Sequence, residues 1–131
     1  MTGLDTNILV RLLTQDDPAQ TAVAMRLLSN LTEDEPGFIS NVVLAETAWV
    51  LSRSFRYSNS EIGEALLQLA EATELQLESE PQVLMAIEGA RTKNVDFADV
   101  LISGVAQRAG CGVTLTFDKD ASRLPGFKLA K

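Results

Sequence analysis

No histidine occurs anywhere in the 131 residues. Ser-His-Asp and Cys-His catalysis, an imidazole general base and histidine-type zinc sites are thereby excluded, so hydrolytic chemistry must rest on carboxylates, lysine or a metal. Oxygen donors alone select a hard cation such as Mg²⁺ or Mn²⁺. The single cysteine, Cys111, rules out an internal disulfide and a multi-cysteine zinc site. It lies between Gly110 and Gly112, just ahead of Val113-Thr114-Leu115, and is expected to be a small packing residue. No apolar run approaches the ~20 residues that span a bilayer, and Met1-Thr2-Gly3-Leu4-Asp5 lacks the regions of a signal peptide, so a cytoplasmic location with no membrane contact is expected. Basic residues are scarce as well. Eleven Lys and Arg against 18 Asp and Glu give a formal charge of −7, which argues against a protein that coats nucleic acid and suits a basic protein partner.

What is present is enough apolar material, 46% of residues, for one compact domain over residues 1–131. No repeat or linker divides it, and its elements alternate. Thr2 to Asp5 is a short strand, followed by a helix carrying Ile8-Leu9-Val10 and Leu12-Leu13. Asp17, Pro18 and Gln20 open a second helix to about Leu31. Pro36-Gly37 precedes a buried strand at Phe38-Ile39, and Ser40 or Asn41 caps a helix from Val42 to about Arg53. Ser58 and Glu61 form a capping box for a helix with Ile62, Leu66 and Leu69 on one face; Leu75 and Leu77 alternate as a strand. Pro81 opens a helix on which Leu84, Ile87 and Ala90 share a side, Asp96 to about Ala109 is the last long helix, and Gly110 ends it. A strand over Val113 to Phe117 and an edge strand at Phe127-Lys128-Leu129 complete an α/β pattern with a mainly parallel sheet.

Function in such sheets gathers at the carboxyl ends of strands, where Asp5 and Asp118 fall; each also suits a plain capping role. Glu46 has Val42, Val43, Trp49 and Val50 as its helical neighbours. An unpaired buried charge costs several kcal/mol, so the expectation is that Glu46 points inward and is held for a cation, an arginine or a metal; otherwise it lies at the wet margin of a wide stripe. Asp96, Asp99 and Ser103 share a helix face, with Phe97, Ala98, Leu101, Ile102 and Val105 mostly opposite. A solvated face accounts for that pattern; the functional alternative is Asp99 as a ligand with Asp96 as a first-turn charge or a supporting group.

Four segments in order resemble the motifs of the PIN-domain family, and specifically of VapC-type toxins. They are Gly3-Leu4-Asp5-Thr6-Asn7-Ile8-Leu9-Val10, Ser40 through Glu46 with Thr47-Ala48-Trp49-Val50-Leu51, Asp96-Phe97-Ala98-Asp99-Val100-Leu101-Ile102, and Thr114-Leu115-Thr116-Phe117-Asp118-Lys119-Asp120 with Leu124-Pro125-Gly126. The resemblance implies a three-layer α/β/α fold with a mainly parallel central sheet. It also implies an acidic quartet at Asp5, Glu46, Asp99 and Asp118, with Asn7 and Thr116 as supporting polar groups. The fourth motif offers Asp120 beside Asp118. By the same resemblance, Asp5, Asp99 and Asp118 hold Mg²⁺ or Mn²⁺, Glu46 orients or deprotonates water or binds a second ion, and an RNA phosphodiester is cleaved to a 5′-phosphate and a 3′-hydroxyl. A VapB-type antitoxin and a second copy of the chain are the implied partners. Clustered carboxylates repel one another, and a divalent ion relieves this.

Setting the quartet aside leaves 14 acidic against 11 basic residues. Lys119, Arg53 and Arg56 are candidate phosphate contacts, each equally explained as solvated surface charge. Two other functions fit parts of the pattern. A haloacid dehalogenase-type aspartyl phosphatase would use Asp5-Thr6 after a strand, but has an aspartate where this chain has Asn7. A non-catalytic acidic module would use the same carboxylates to bind a basic partner.

Overall fold

A computed structural model describes residues 1–131. The chain runs β1 (Thr2–Gly3), α1 (Thr6–Thr14), α2 (Pro18–Ser29), β2 (Gly37–Ile39), α3 (Asn41–Phe55), α4 (Asn59–Glu71), β3 (Leu75–Leu77), α5 (Glu80–Lys93), α6 (Phe97–Arg108), β4 (Thr114–Thr116), a 3₁₀ turn (Ala121–Arg123) and β5 (Phe127–Leu129). Helix starts follow local chemistry. Asp17 accepts from the Gln20 amide with Pro18 in the first turn, Ser40 accepts from the Val43 amide, and Ser58 and Glu61 close a reciprocal capping box. Three helices stop at a left-handed residue, Gln15, Arg56 or Asn94.

Every strand pair is parallel, and the architecture is the three-layer α/β/α arrangement. β2 is central in the order β1-β2-β3, with Gly3 opposite Phe38 and Ile39 opposite Leu77. β4 and β5 form a separate two-stranded sheet, so the outer edges of β1 and β4 are both unpaired. One core joins Leu9, Ile39, Leu44, Leu51, Leu66 and Ile87, each removed from water and worth roughly 1.5–3 kcal/mol. α5 packs against both α4 and α6. No helix is long and apolar enough to cross a membrane.

Packing corrects four expectations. On α5, Ile87 and Ala90 are buried as expected, but Val83 and Ala86 complete the stripe and Leu84 is 40% exposed. On α6, Phe97 and Leu101 are buried as expected, but Ile102 and Val105 are exposed and Ser103 is inside. Cys111 is exposed on a glycine-flanked turn rather than packed. The strand expected over Val113 to Phe117 is confined to Thr114–Thr116, and Phe117 is 85% exposed.

Candidate active site

Asp5 stands where β1 ends and α1 begins. Its Oδ1 accepts from the Thr6 amide at 2.7 Å, so it caps the helix through one oxygen. Thr6 is buried, and its hydroxyl donates to Glu46 Oε1 across 40 residues of sequence. That hydrogen bond joins the first motif to the second. Glu46 itself is exposed, which corrects the inward placement expected from its neighbours. α3 carries two apolar stripes: Leu44, Ala48 and Leu51 enter the core, while Val42 and Trp49 face outward with Glu46 between them.

The other acids lie at the start of α6 and the end of β4. Asp96 caps α6, accepting from the Asp99 amide at 3.0 Å. Asp118 Oδ1 accepts from the amides of Asp120 at 2.8 Å and Ala121 at 3.2 Å, and the Asp118 amide donates to Thr116 Oγ1 at 3.0 Å. Thr116 therefore fixes the loop that presents Asp118. Asp120 points elsewhere, paired with Arg123 at 3.3 Å. Asn7 is exposed in the wall of a concavity between α1 and α2, together with Ile8, Arg11 and Gln20.

A common pattern emerges. Asp5, Glu46 and Asp118 each commit one carboxylate oxygen to a protein donor and leave the other without a hydrogen bond, while neither oxygen of Asp99 has a protein donor. Capping and a second task are thus compatible on one side chain. Burial, then the charges of Asp96 and Asp118, push the half-buried Asp99 carboxyl up to about 6. The acids form two groups, Asp5 with Glu46 and Asp99 with Asp96 and Asp118, and no three converge closely enough to grip one ion. In chemical kind the donor set fits a hard divalent ion: free carboxylate oxygens, no nitrogen or sulfur, and an Asp99 carboxyl that a cation would relieve.

Two residues central to this arrangement were not singled out as functional by the sequence. Thr6 has a signal, a hydroxyl directly after the strand-end acid. Ser103 is buried and donates to the Pro125 carbonyl at 3.1 Å. Gly126 sits at φ +89°, and a Cβ there would lie 2.2 Å from Ser103 Oγ. A glycine with a left-handed backbone is what permits the approach.

The raised Asp99 pKa has a consequence for folding. The folded state holds this proton more tightly than the unfolded chain, so stability should fall as pH rises from about 4 through about 6 and then level. With solvent screening at a half-buried site, the fall amounts to about 1–2 kcal/mol. Chemical denaturation of the metal-free protein across that range should show the slope, and Asp99→Asn should remove it. An unchanged slope in the variant would place its origin elsewhere.

A family model for the PIN domain matches residues 4–126, which takes in all four acids, all six helices and strands β2 to β4. No curated protein matches the sequence significantly. PIN domains are typically nucleases and generally use divalent metal ions, in keeping with the oxygen-only donors of these acids. With the match spanning nearly the whole length and the parallel α/β architecture in place, the chain belongs to the PIN-domain family.

Proposed function

We propose that this protein is a metal-dependent endoribonuclease, the toxin of a VapBC-type toxin–antitoxin pair, acting in the cytoplasm through Asp5, Glu46, Asp99 and Asp118. The observation that carries this reading is the free oxygen on each of the four acids, together with the raised Asp99 carboxyl beside Asp96 and Asp118. Asp5, Asp99 and Asp118 are the residues that would hold Mg²⁺ or Mn²⁺, Asp5 from one of the two acid groups and Asp99 and Asp118 from the other, and the ion's charge would draw the two groups together. When bound, the ion supplies positive charge that offsets the carboxylates, draws in phosphate and makes nearby water more acidic.

The rest falls to the chain. The Thr6 hydroxyl fixes Glu46 through Oε1, leaving Oε2 to accept a proton from the attacking water. Asp96 and Thr116 hold the segments that carry Asp99 and Asp118. Asn7, exposed two residues after Asp5, is a candidate contact for the RNA backbone. Asp120, bound to Arg123, is left outside the site. A basic antitoxin encoded beside the chain and a second copy of it are the proposed partners, consistent with the −7 charge.

Incubation with RNA in Mg²⁺ or Mn²⁺ should give products with 5′-phosphate and 3′-hydroxyl ends, and chelation should stop cleavage. Producing the chain alone should arrest growth. Cleavage undiminished by chelation would overturn the metal dependence; no effect on growth would remove the toxin assignment.

A further inference from the structure

Val42, Glu46, Trp49 and Arg53 follow at three- and four-residue steps along α3 and so share one face. That face is turned outward: Val42 is 77% exposed and Trp49, the only tryptophan in the chain, is 59% exposed. The Arg53 guanidinium stands 5.3 Å from the centroid of the Trp49 ring, within cation–π distance. Arg11, Arg91 and Arg123 are paired with carboxylates; Arg53 and Arg56, like Arg26 and Arg108, are not, but only Arg53 and Arg56 follow the exposed tryptophan along α3. In a chain this acidic, an open aromatic ring stands one turn beyond Glu46 on α3, with two cations one and two turns further along. A cleft of about 110 Å³ runs from Trp49 and Arg53 on α3 to Asp96 and Phe97 at the start of the helix that carries Asp99. It is far smaller than a pocket that encloses a ligand, and its aromatic wall is open to solvent.

We propose that Trp49 and Arg53 form a platform for single-stranded RNA beside the scissile bond, with an unpaired base stacked on the indole and a neighbouring phosphate met by Arg53 and Arg56. This rests on the ribonuclease reading above and specifies its substrate. An apolar protein partner would strip water from Arg53 without supplying an anion. RNA supplies both a planar ring and a negative charge, the combination by which proteins hold single strands. Bases within an A-form duplex are already stacked on one another and do not reach such a ring, so the platform selects loops, bulges and ends. Trp49 and Arg53 are positioning residues: they touch the substrate away from the bond that breaks.

The lone tryptophan makes the test direct. The Asp5→Asn protein, in Mg²⁺, is titrated with a 12-nucleotide single-stranded RNA and with a duplex of the same sequence, following tryptophan emission and, separately, anisotropy of labelled RNA. The single strand should quench the emission, and the duplex should not. Trp49→Ala should weaken single-strand binding about 10-fold and Trp49→Phe by much less. Arg53→Gln should lower the slope of log affinity against log salt by about 0.7, the loss of one phosphate contact. In the cleaving protein, Trp49→Ala should raise KM with kcat changed less than about threefold. Cleavage with an unaltered KM in Trp49→Ala, or tight RNA binding with no quenching, would overturn the platform and leave the nuclease reading intact. Emission that follows protein concentration and ignores RNA would assign this face to a contact between copies and overturn it likewise. Absence of both cleavage and RNA binding would remove the nuclease reading and the platform with it.

Discussion

Asp99→Asn is expected to lower RNA cleavage by about 10³-fold or more, while the protein stays folded and becomes slightly more stable at neutral pH. Asparagine keeps the shape of the side chain and leaves the Asp99 amide bonded to Asp96, so the start of α6 survives. What disappears is the charge that burial and two neighbouring carboxylates already oppose. Removing it relieves the metal-free protein and deprives a cation of its most isolated donor, the acid whose two oxygens have no protein partner. A 10³-fold loss corresponds to about 4 kcal/mol of transition-state stabilisation, the scale of one essential electrostatic group. Asp120→Asn is the contrast, since that carboxylate serves Arg123 on the surface; it should change the rate less than about threefold. Initial rates on one RNA, with the unfolding midpoint of each variant measured alongside, decide the matter. A folded Asp99→Asn protein that cleaves within tenfold of the parent would remove Asp99 from the site.

Gly63→Val should cost about 3 kcal/mol of stability, a large share of the ~5–15 kcal/mol available to a domain of this size. Gly63 is buried where α4 meets α5. A Cβ there would come within 2.5 Å of Arg91 Cγ and 3.1 Å of both the Arg91 nitrogen and the Ile87 oxygen. The arginine stem can move, at the expense of its 2.8 Å contact with Glu64, but the α5 backbone cannot without parting the two helices. Gly63→Ala should fall in between, because the clash is partly offset by about 1 kcal/mol of helix propensity. The urea midpoint should drop in that order with an unchanged slope. A valine variant within about 0.5 kcal/mol of the parent would mean that the helices yield more readily than their contact implies.

Local signals in the sequence carried local structure well. The Ser58–Glu61 box, the Asp17-Pro18 start and the alternation at Leu75 and Leu77 each depend on neighbours a few residues away, and each is present. Faces were harder. Periodicity finds an apolar stripe without saying whether the core or solvent meets it, and α3 has one of each; Glu46 was therefore assigned inward when the core-facing stripe is Leu44, Ala48 and Leu51. The exposure of Leu84 on α5 has the same origin, because contact with two helices decides which positions are covered. Strand pairing is decided over long range, so a separate β4–β5 sheet was not legible. Capping and functional roles of Asp5 and Asp118 read as alternatives in the sequence, but each caps through one oxygen and keeps the other without a hydrogen bond, so the two roles are compatible. The part played by Thr6 depends on Glu46, 40 residues away, and no local pattern reports it.

The bond from Ser103 to the Pro125 carbonyl is the only hydrogen bond joining residues 113–131 to the rest of the protein. Beyond the packing of residues such as the buried Ala121, that bond is the one polar latch on the unit that carries Asp118. A methyl group at Gly126 or a lost hydroxyl at position 103 is expected to displace Asp118 relative to Asp99 without touching either acid. The placement of Asp118 thus depends in part on a serine and a glycine that are not its neighbours in sequence.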